Sequence, residues 1–229
     1  MKEEIRNLIK KEFSAIARSR YNALKKLGIK NLNFNPFLLR ILNLDSPEKI
    51  AEFMINERLE RSVVTSFGSR IQKIAKLIGG KGTGVEGGDI FIERTGKRYY
   101  IQMKAGPNTP NKDLVRMINQ LLLSATRRNA GSIALLGMTY GKREKVSNII
   151  RGYSQVDWKI GREFWEFIGY RGIAQEIYEI IGEVNKEFKE EGKTFSQLYD
   201  EKLDELQEAI RKKYGEEEKL WERLFKDNM

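Results

Sequence analysis

The chain has 229 residues, 42 Lys+Arg against 32 Asp+Glu for a net charge of +10, and neither cysteine nor histidine. The two zeros exclude Cys/His zinc sites, Ser/His/Asp and Cys/His nucleophilic machinery, and haem ligation. Any chemistry must come from carboxylates, amides, lysines, hydroxyls or a hard cation held by oxygen.

An apolar content of 40% supplies a hydrophobic core, and no apolar run is long enough to cross a bilayer. The opening Met1 to Lys11 is amphipathic and charged, unlike a signal peptide. These features predict a soluble, cytoplasmic protein with no membrane association. Charge is unevenly spread: residues 1–172 hold 32 basic and 16 acidic side chains, whereas residues 173–229 hold 10 and 16. The +16 of the first region suits a polyanionic partner, since each Lys or Arg that neutralises a phosphate releases counterions; a solvated basic surface is the alternative.

In chain order, Ile5, Leu8, Ile9, Phe13 and Ile16 recur at helical spacing, and Gly28 ends that helix. Ser46-Pro47 is a helix start, with Ser as N-cap and Pro at the first helical position. One helix, or two in succession, follows to Ile78 with Leu59, Val63, Phe67, Ile71 and Ile74 on its buried side, and Gly79-Gly80 stops it. The period then changes. Residues 89–93 and 98–104 are short β-branched and aromatic runs joined by Thr95-Gly96-Lys97, a hairpin signature. A helix from about Asn111 to Asn129 and a third strand over 132–138 complete a small α/β unit. Further helices are expected over 161–168, 173–190, 194–213 and near Leu220.

Hairpin parity is the most informative feature. If Glu93 pairs with Arg98, paired indices sum to 191, which places Asp89 opposite Gln102. Lys104 shares that face, whereas Ile90, Ile92, Tyr99, Ile101 and Met103 point into the core. A carboxylate, an amide and a lysine are thus expected on the exposed side of the hairpin. This set suits phosphodiester hydrolysis: Asp89, the Gln102 side-chain oxygen and the Met103 backbone carbonyl would hold Mg²⁺, and Lys104 would contact the attacking water and the scissile phosphate. A solvated strand face is the competing reading.

Asp89, twelve intervening residues and Gln102-Met103-Lys104 resemble the D…(D/E/Q)-x-K motif of the PD-(D/E)xK nuclease superfamily. Three blocks narrow the likeness. Glu60-Arg61-Ser62 with Thr65-Ser66-Phe67-Gly68, residues 102–109 with Asn111-Lys112-Asp113, and Gly161-Arg162-Glu163-Phe164-Trp165-Glu166-Phe167 resemble the TdeIII/MjaII group of type II restriction endonucleases, over about Glu57 to Gly172. The resemblance implies an α/β restriction-endonuclease-like core, a central mixed β-sheet flanked by helices, with helical N- and C-terminal additions. The segments would be an N-terminal helical region (1–50), the nuclease core (51–172) and an acidic helical region (173–229) for packing or dimerisation. It further implies Mg²⁺-dependent cleavage of double-stranded DNA by a homodimer at a short, GGNCC-like palindrome, leaving 5′-phosphates.

Gln102 departs from the usual second acid and should weaken cation binding. Glu60 is the expected compensating ligand, with Glu86 and Glu57 as fallbacks. Asn108, Thr109, Asn111 and Lys112 stand where a helix N-terminus could meet the DNA backbone, although turn and N-cap chemistry accounts for the same residues. Lys142 and Arg143, after the third strand, are further DNA-contact candidates. Phe164, Trp165 and Phe167 are expected in the core rather than stacked on bases. A non-cleaving DNA-binding protein, or a repair or mobile-element nuclease of the same superfamily, remain as alternatives.

Overall fold

The computed structural model describes residues 1–82, 88–107 and 111–229. Two compact units divide the chain: a sheet unit of Met1–Phe13 and Gly68–Val184, and a helical unit of Ser14–Phe67 and Asn185–Met229. Each is discontinuous in sequence, because the division falls inside two long helices, α1 (Glu3–Lys25) and α3 (Pro47–Ile78).

Local signals account for these helices. Glu3 and Glu4 in the first turn of α1 and Lys25 in its last oppose the helix dipole. Ser46 caps α3 by accepting the Lys49 amide at 3.3 Å, and Pro47 fills the position whose missing N–H costs nothing. The helix runs unbroken over 32 residues. The Gly79 and Gly80 amides then both bond the Ala75 carbonyl, and a side chain at Gly79 would strike the Ile168 carbonyl.

The sheet unit is built on four strands, β1 (Ile90–Arg94), β2 (Lys97–Lys104), β3 (Ser132–Met138) and β4 (Asp157–Ile160), in that spatial order. β1 and β2 are antiparallel, with Glu93 opposite Arg98 and Ile90 opposite Ile101, as parity predicts. The β2–β3 and β3–β4 pairs are parallel, so the sheet is mixed. β4 has no clear sequence signature: it is four residues long, and Asp157 and Lys159 interrupt its apolar character. Its pairing with β3 creates it.

Helix α4 (Lys112–Arg128) covers one face of the sheet, burying Val115, Ile118, Leu122 and Ala125 against Tyr100, Ala134, Leu136 and Met138. Asn119, buried on the same helix, donates to the Tyr153 carbonyl at 2.7 Å and accepts the Gln155 amide at 3.0 Å. It thereby ties the short helix α5 (Asn148–Tyr153) and the approach to β4 onto α4. The opposite face receives α6 (Gly161–Ile168): Gly137, in register with Met103, lies under the Phe164 ring, where any larger side chain would overlap it. Phe164 and Trp165 are core residues, as expected, whereas Phe167 is only half-buried, its ring in edge contact with Tyr99 at 4.9 Å; replacing Phe164 by Ala should cost roughly 3–5 kcal/mol.

Helix α7 (Ile173–Glu187) follows α6 in the chain, and the helical unit contains α2 (Pro36–Ile41), α8 (Phe195–Tyr214) and α9 (Glu217–Asn228) with its portions of α1 and α3. The stripe Leu198, Leu206, Ile210 and Tyr214 is buried with Tyr21, Leu24, Ile50, Ile55, Leu220 and Leu224. Arg18 pairs with Glu190 at 3.1 Å, and Lys25 pairs with Glu191. Early basic residues thus meet Glu190 and Glu191, while Glu201, Glu205, Glu208, Glu216 and Asp227 pair with bases of the C-terminal stretch itself. By unit, the sheet unit carries 23 basic and 14 acidic residues, whereas the helical unit carries 19 and 18. Tertiary structure places nearly all the net positive charge with the sheet.

Candidate active site

The site forms at the carboxyl end of β2, where the parallel part of the sheet ends and loops take over, the usual place for ligand sites in open α/β sheets. Asp89 immediately precedes β1. Its backbone N–H donates to the Ile101 carbonyl at 2.9 Å, and its carboxylate Oδ2 accepts the Met103 N–H at 2.6 Å. The Asp89 side chain thus continues the ladder where the strand backbone stops. The Lys104 carbonyl accepts from the Thr139 N–H at 3.0 Å, toward β3. Met103, one residue earlier, consequently presents both backbone groups to the opposite edge, the Asp89 edge. That places its carbonyl on the side where it was expected as a ligand.

Gln102 and Lys104 lie on the other side of β2 from Ile101 and Met103, as parity requires, but that side is not an exposed face. It carries Tyr100, Leu136 and Met138 beneath α4, and Leu136 and Met138 are the β3 neighbours of Gln102 and Lys104. The expectation of a solvated hairpin face overlooked the second cover, because a hairpin considered alone has only one core side. Both residues are half-buried at the rim of the covered layer. Among the described residues, Gln102 Oε1 is buried and accepts no hydrogen bond. A buried amide oxygen in that condition costs about 1–3 kcal/mol unless something binds it.

The Asp89 carboxyl titrates above its ordinary value because burial disfavours its charge; the Met103 amide and the charges of Lys104 and Lys76 pull the other way without cancelling the effect. A desolvated carboxylate and an orphaned amide oxygen are what a hard, oxygen-seeking cation would relieve, so the residues present fit such an ion. Among the described residues no three acidic side chains converge on a metal site. Among the described residues, a cation beside Asp89 would meet one carboxylate and neutral oxygens.

Lys76 is the residue that sequence reasoning missed. It sits in the last turn of α3, near enough to Asp89 to influence its charge. The helix was identified from its periodicity, but nothing local revealed which strand end its last turn approaches. Glu60 is exposed on α3 and belongs to the helical unit. The part of α3 within the sheet unit carries Arg70, Lys73 and Lys76 and no acid.

Of the expected DNA contacts, Asn108 and Thr109, and the fallback ligand Glu86, lie outside the described residues. Asn111 is the N-cap of α4, its side chain accepting the Leu114 amide at 2.8 Å, which satisfies the structural reading of that residue. Lys112 lies 4.6 Å from the Tyr153 ring centroid. Lys142 is exposed. Arg143 is exposed but already has partners: its guanidinium lies 4.5 Å from the Trp158 ring centroid and 3.3 Å from the Glu163 carboxylate. Burial pushes the Glu163 carboxyl up, yet Lys159, 2.7 Å away, and Arg143 outweigh it and hold it below the ordinary range.

The loops at this end are tightly braced. Thr139 Oγ1 donates to the Ala105 carbonyl at 2.8 Å, and Trp165 Nε1 donates to the Thr139 carbonyl at 2.8 Å. Gly161 has φ +55°, and a side chain there would collide with the Gly141 carbonyl. Lys104 therefore emerges from a rigid base, the condition a catalytic group needs to hold its position.

A mixed sheet flanked by helices, with an acid beside the end of one strand and Gln-x-Lys at the end of its antiparallel neighbour, is consistent with the restriction-endonuclease-like fold class. The family model described as type II restriction endonuclease EcoO109I matches residues 3–192. The chain belongs to that family. No curated protein matches it. Membership makes it a nuclease that hydrolyses DNA, and metal dependence is general among such enzymes. Among the described residues no helix is long and apolar enough to cross a membrane.

Proposed function

We propose that this chain is a Mg²⁺-dependent type II restriction endonuclease that cleaves double-stranded DNA at a short palindrome and leaves 5′-phosphates. The observation that carries the proposal is Gln102 Oε1, buried and without a hydrogen bond among the described residues, near a desolvated Asp89 and ahead of Lys104. Asp89, Gln102 Oε1 and the Met103 carbonyl would hold the cation, and Glu60 is the additional acid to test. Bound Mg²⁺ supplies Lewis-acid stabilisation of the phosphate and lowers the pKa of the attacking water. Lys104 contacts the scissile phosphate and orients that water, and its cationic head stabilises the charge that develops on the phosphoryl oxygens. Asn108, Thr109, Asn111, Lys112, Lys142 and Arg143 enter as contacts to the DNA backbone or base edges, with Arg143 requiring release from Glu163. The sequence blocks described above support a relationship to the TdeIII/MjaII group and a GGNCC-like target.

A palindrome calls for two sites related by a twofold axis, hence a homodimer. The helical unit offers a face for it: Phe37 and Ile41 on α2, Leu42 just after it and Phe225 on α9 are 46–82% exposed, and the Phe37 and Phe225 rings are in edge contact. Sedimentation of Ile41→Glu with Phe225→Glu tests that face, which a variant as dimeric as the parent would eliminate.

Digestion of phage DNA with and without Mg²⁺ tests the whole reading. Discrete fragments that need Mg²⁺ support it, and random degradation points to a repair or mobile-element nuclease. Intact DNA with salt-sensitive binding would establish the second reading, a DNA-binding protein with a silent site, which the lack of three converging acids among the described residues favours.

A further inference from the structure

A shallow groove in the sheet unit is not accounted for by the site above. It encloses about 310 Å³ and is lined by Leu8, Lys11 and Glu12 of α1 and by Lys73, Lys76 and Leu77 of α3. The three lysines are exposed. Glu12 does not neutralise them, because its carboxylate is engaged by Arg70 at 2.7 Å. Among the described residues no ion pair involves Lys11, Lys73 or Lys76. Lys73 and Lys76, three apart on one helix, are neighbours of like charge, an arrangement that is unfavourable by a few tenths of a kcal/mol without a counter-charge. The sheet unit already holds most of the net positive charge, and here that charge is gathered in a concave strip.

The groove leads to the active site. Gly79 and Gly80 close α3 just beyond Lys76; an atom at the Cβ position of Gly80 would stand 3.2 Å from Ile90 Cβ, and Lys81 pairs with Phe91 across two backbone hydrogen bonds. The last turn of α3 is thereby fixed against the start of β1, where Asp89 lies. The effect of Lys76 on the Asp89 carboxyl agrees with that proximity.

We propose that the Lys11–Lys73–Lys76 groove binds the sugar-phosphate backbone of the DNA, with Lys76 the phosphate contact nearest Asp89 and Lys73 and Lys11 extending the contact away from it. The inference rests on the nuclease reading and adds the surface along which the duplex approaches the site. The contact is to phosphates and carries no base information. Lys76 acts as a positioning residue.

The test is the salt dependence of binding to a duplex of about 30 base pairs, in Ca²⁺, for the wild type and for Lys11→Gln/Lys73→Gln/Lys76→Gln. Each lost phosphate contact should flatten the log–log salt slope by about 0.9, so the triple variant should lose roughly 2–3 in slope. A control with the same charge change in the helical unit, Lys212→Gln/Lys219→Gln/Lys226→Gln, should lose less than about 1. Equal flattening in the control overturns the proposal, because net charge alone then explains the effect. An unchanged slope in the groove variant of a wild type that cleaves in Mg²⁺ overturns the groove and leaves the nuclease standing. Flattening confined to the groove variant of a wild type that never cleaves supports the groove and sinks the nuclease reading. Affinity of the groove for poly-glutamate in preference to the duplex would make it a protein-docking surface and overturn the proposal.

Discussion

The Asp89 carboxylate accepts the Met103 backbone N–H at 2.6 Å, and this bond fixes the acid at the edge of β2 that carries the Met103 carbonyl. The same bond helps keep the carboxylate charged, but burial acts more strongly and its pKa lies above the ordinary value. A group whose native pKa is raised favours the native state when protonated. That contribution is fully present below the ordinary value of 3.8 and is lost as pH rises through the raised native value.

At neutral pH an ionised Asp89 therefore costs stability in the absence of a cation. Asp89→Asn keeps an acceptor for the Met103 amide and removes the charge. It should raise Tm by about 2 °C in EDTA while lowering cleavage at least about 1,000-fold. Adding Mg²⁺ should raise the Tm of the wild type alone. Thermal melts in EDTA and in Mg²⁺ check both points, and a variant that melts lower than the parent in EDTA would contradict the account.

Gln102 can be changed in two directions. Gln102→Glu supplies the acid usual in such sites and should tighten Mg²⁺ binding by roughly tenfold, while lowering Tm in EDTA because two carboxylates then share a partly buried rim. Gln102→Leu removes the orphaned oxygen, so Tm should hold or rise as Mg²⁺ affinity falls. Calorimetric titration with Mg²⁺ should give opposite signs for the two variants.

Lys104 is expected to act on the reaction more than on binding. Lys104→Ala should slow cleavage by about 100- to 1,000-fold and leave duplex affinity in Ca²⁺ within about threefold. Single-turnover cleavage and an equilibrium binding curve separate the two effects; equal losses in both would reassign Lys104 to a binding role.

The loop behind Lys104 depends on Gly161, with its φ of +55° and its contact with the Gly141 carbonyl. Gly161→Ala should destabilise the protein by at least about 2 kcal/mol, lowering Tm by roughly 5 °C. Gly152→Ala, in α5 with open space around it, should be neutral or slightly stabilising. Paired thermal melts test the contrast.

Much of this molecule was legible without coordinates, because the signals are local. Hydrophobic alternation and the Thr95-Gly96-Lys97 turn set the hairpin register, and with it which residues flank Gln102. Ser46-Pro47, Gly79-Gly80, Asn111 and Thr194 mark helix ends because the end groups of a helix need partners within a few residues. β4 was not legible, since four residues that include Asp157 and Lys159 become a strand only by pairing with β3.

What the sequence determined by itself is the register that sets Asp89 beside β2 and puts Gln102 and Lys104 on one side of it, because strand parity is a property of neighbours along the chain. Tertiary structure alone decided the environment of those residues. The cover of α4 turned an apparently solvated face into a rim, where Gln102 Oε1 is buried and without a hydrogen bond among the described residues; burial desolvated Asp89, and packing brought Lys76 near it and set Arg18 and Lys25 against Glu190 and Glu191. The physical reason is that burial and charge proximity depend on which segments are packed together, and a sequence pattern with a period of two or 3.6 residues carries no record of which distant segment covers it.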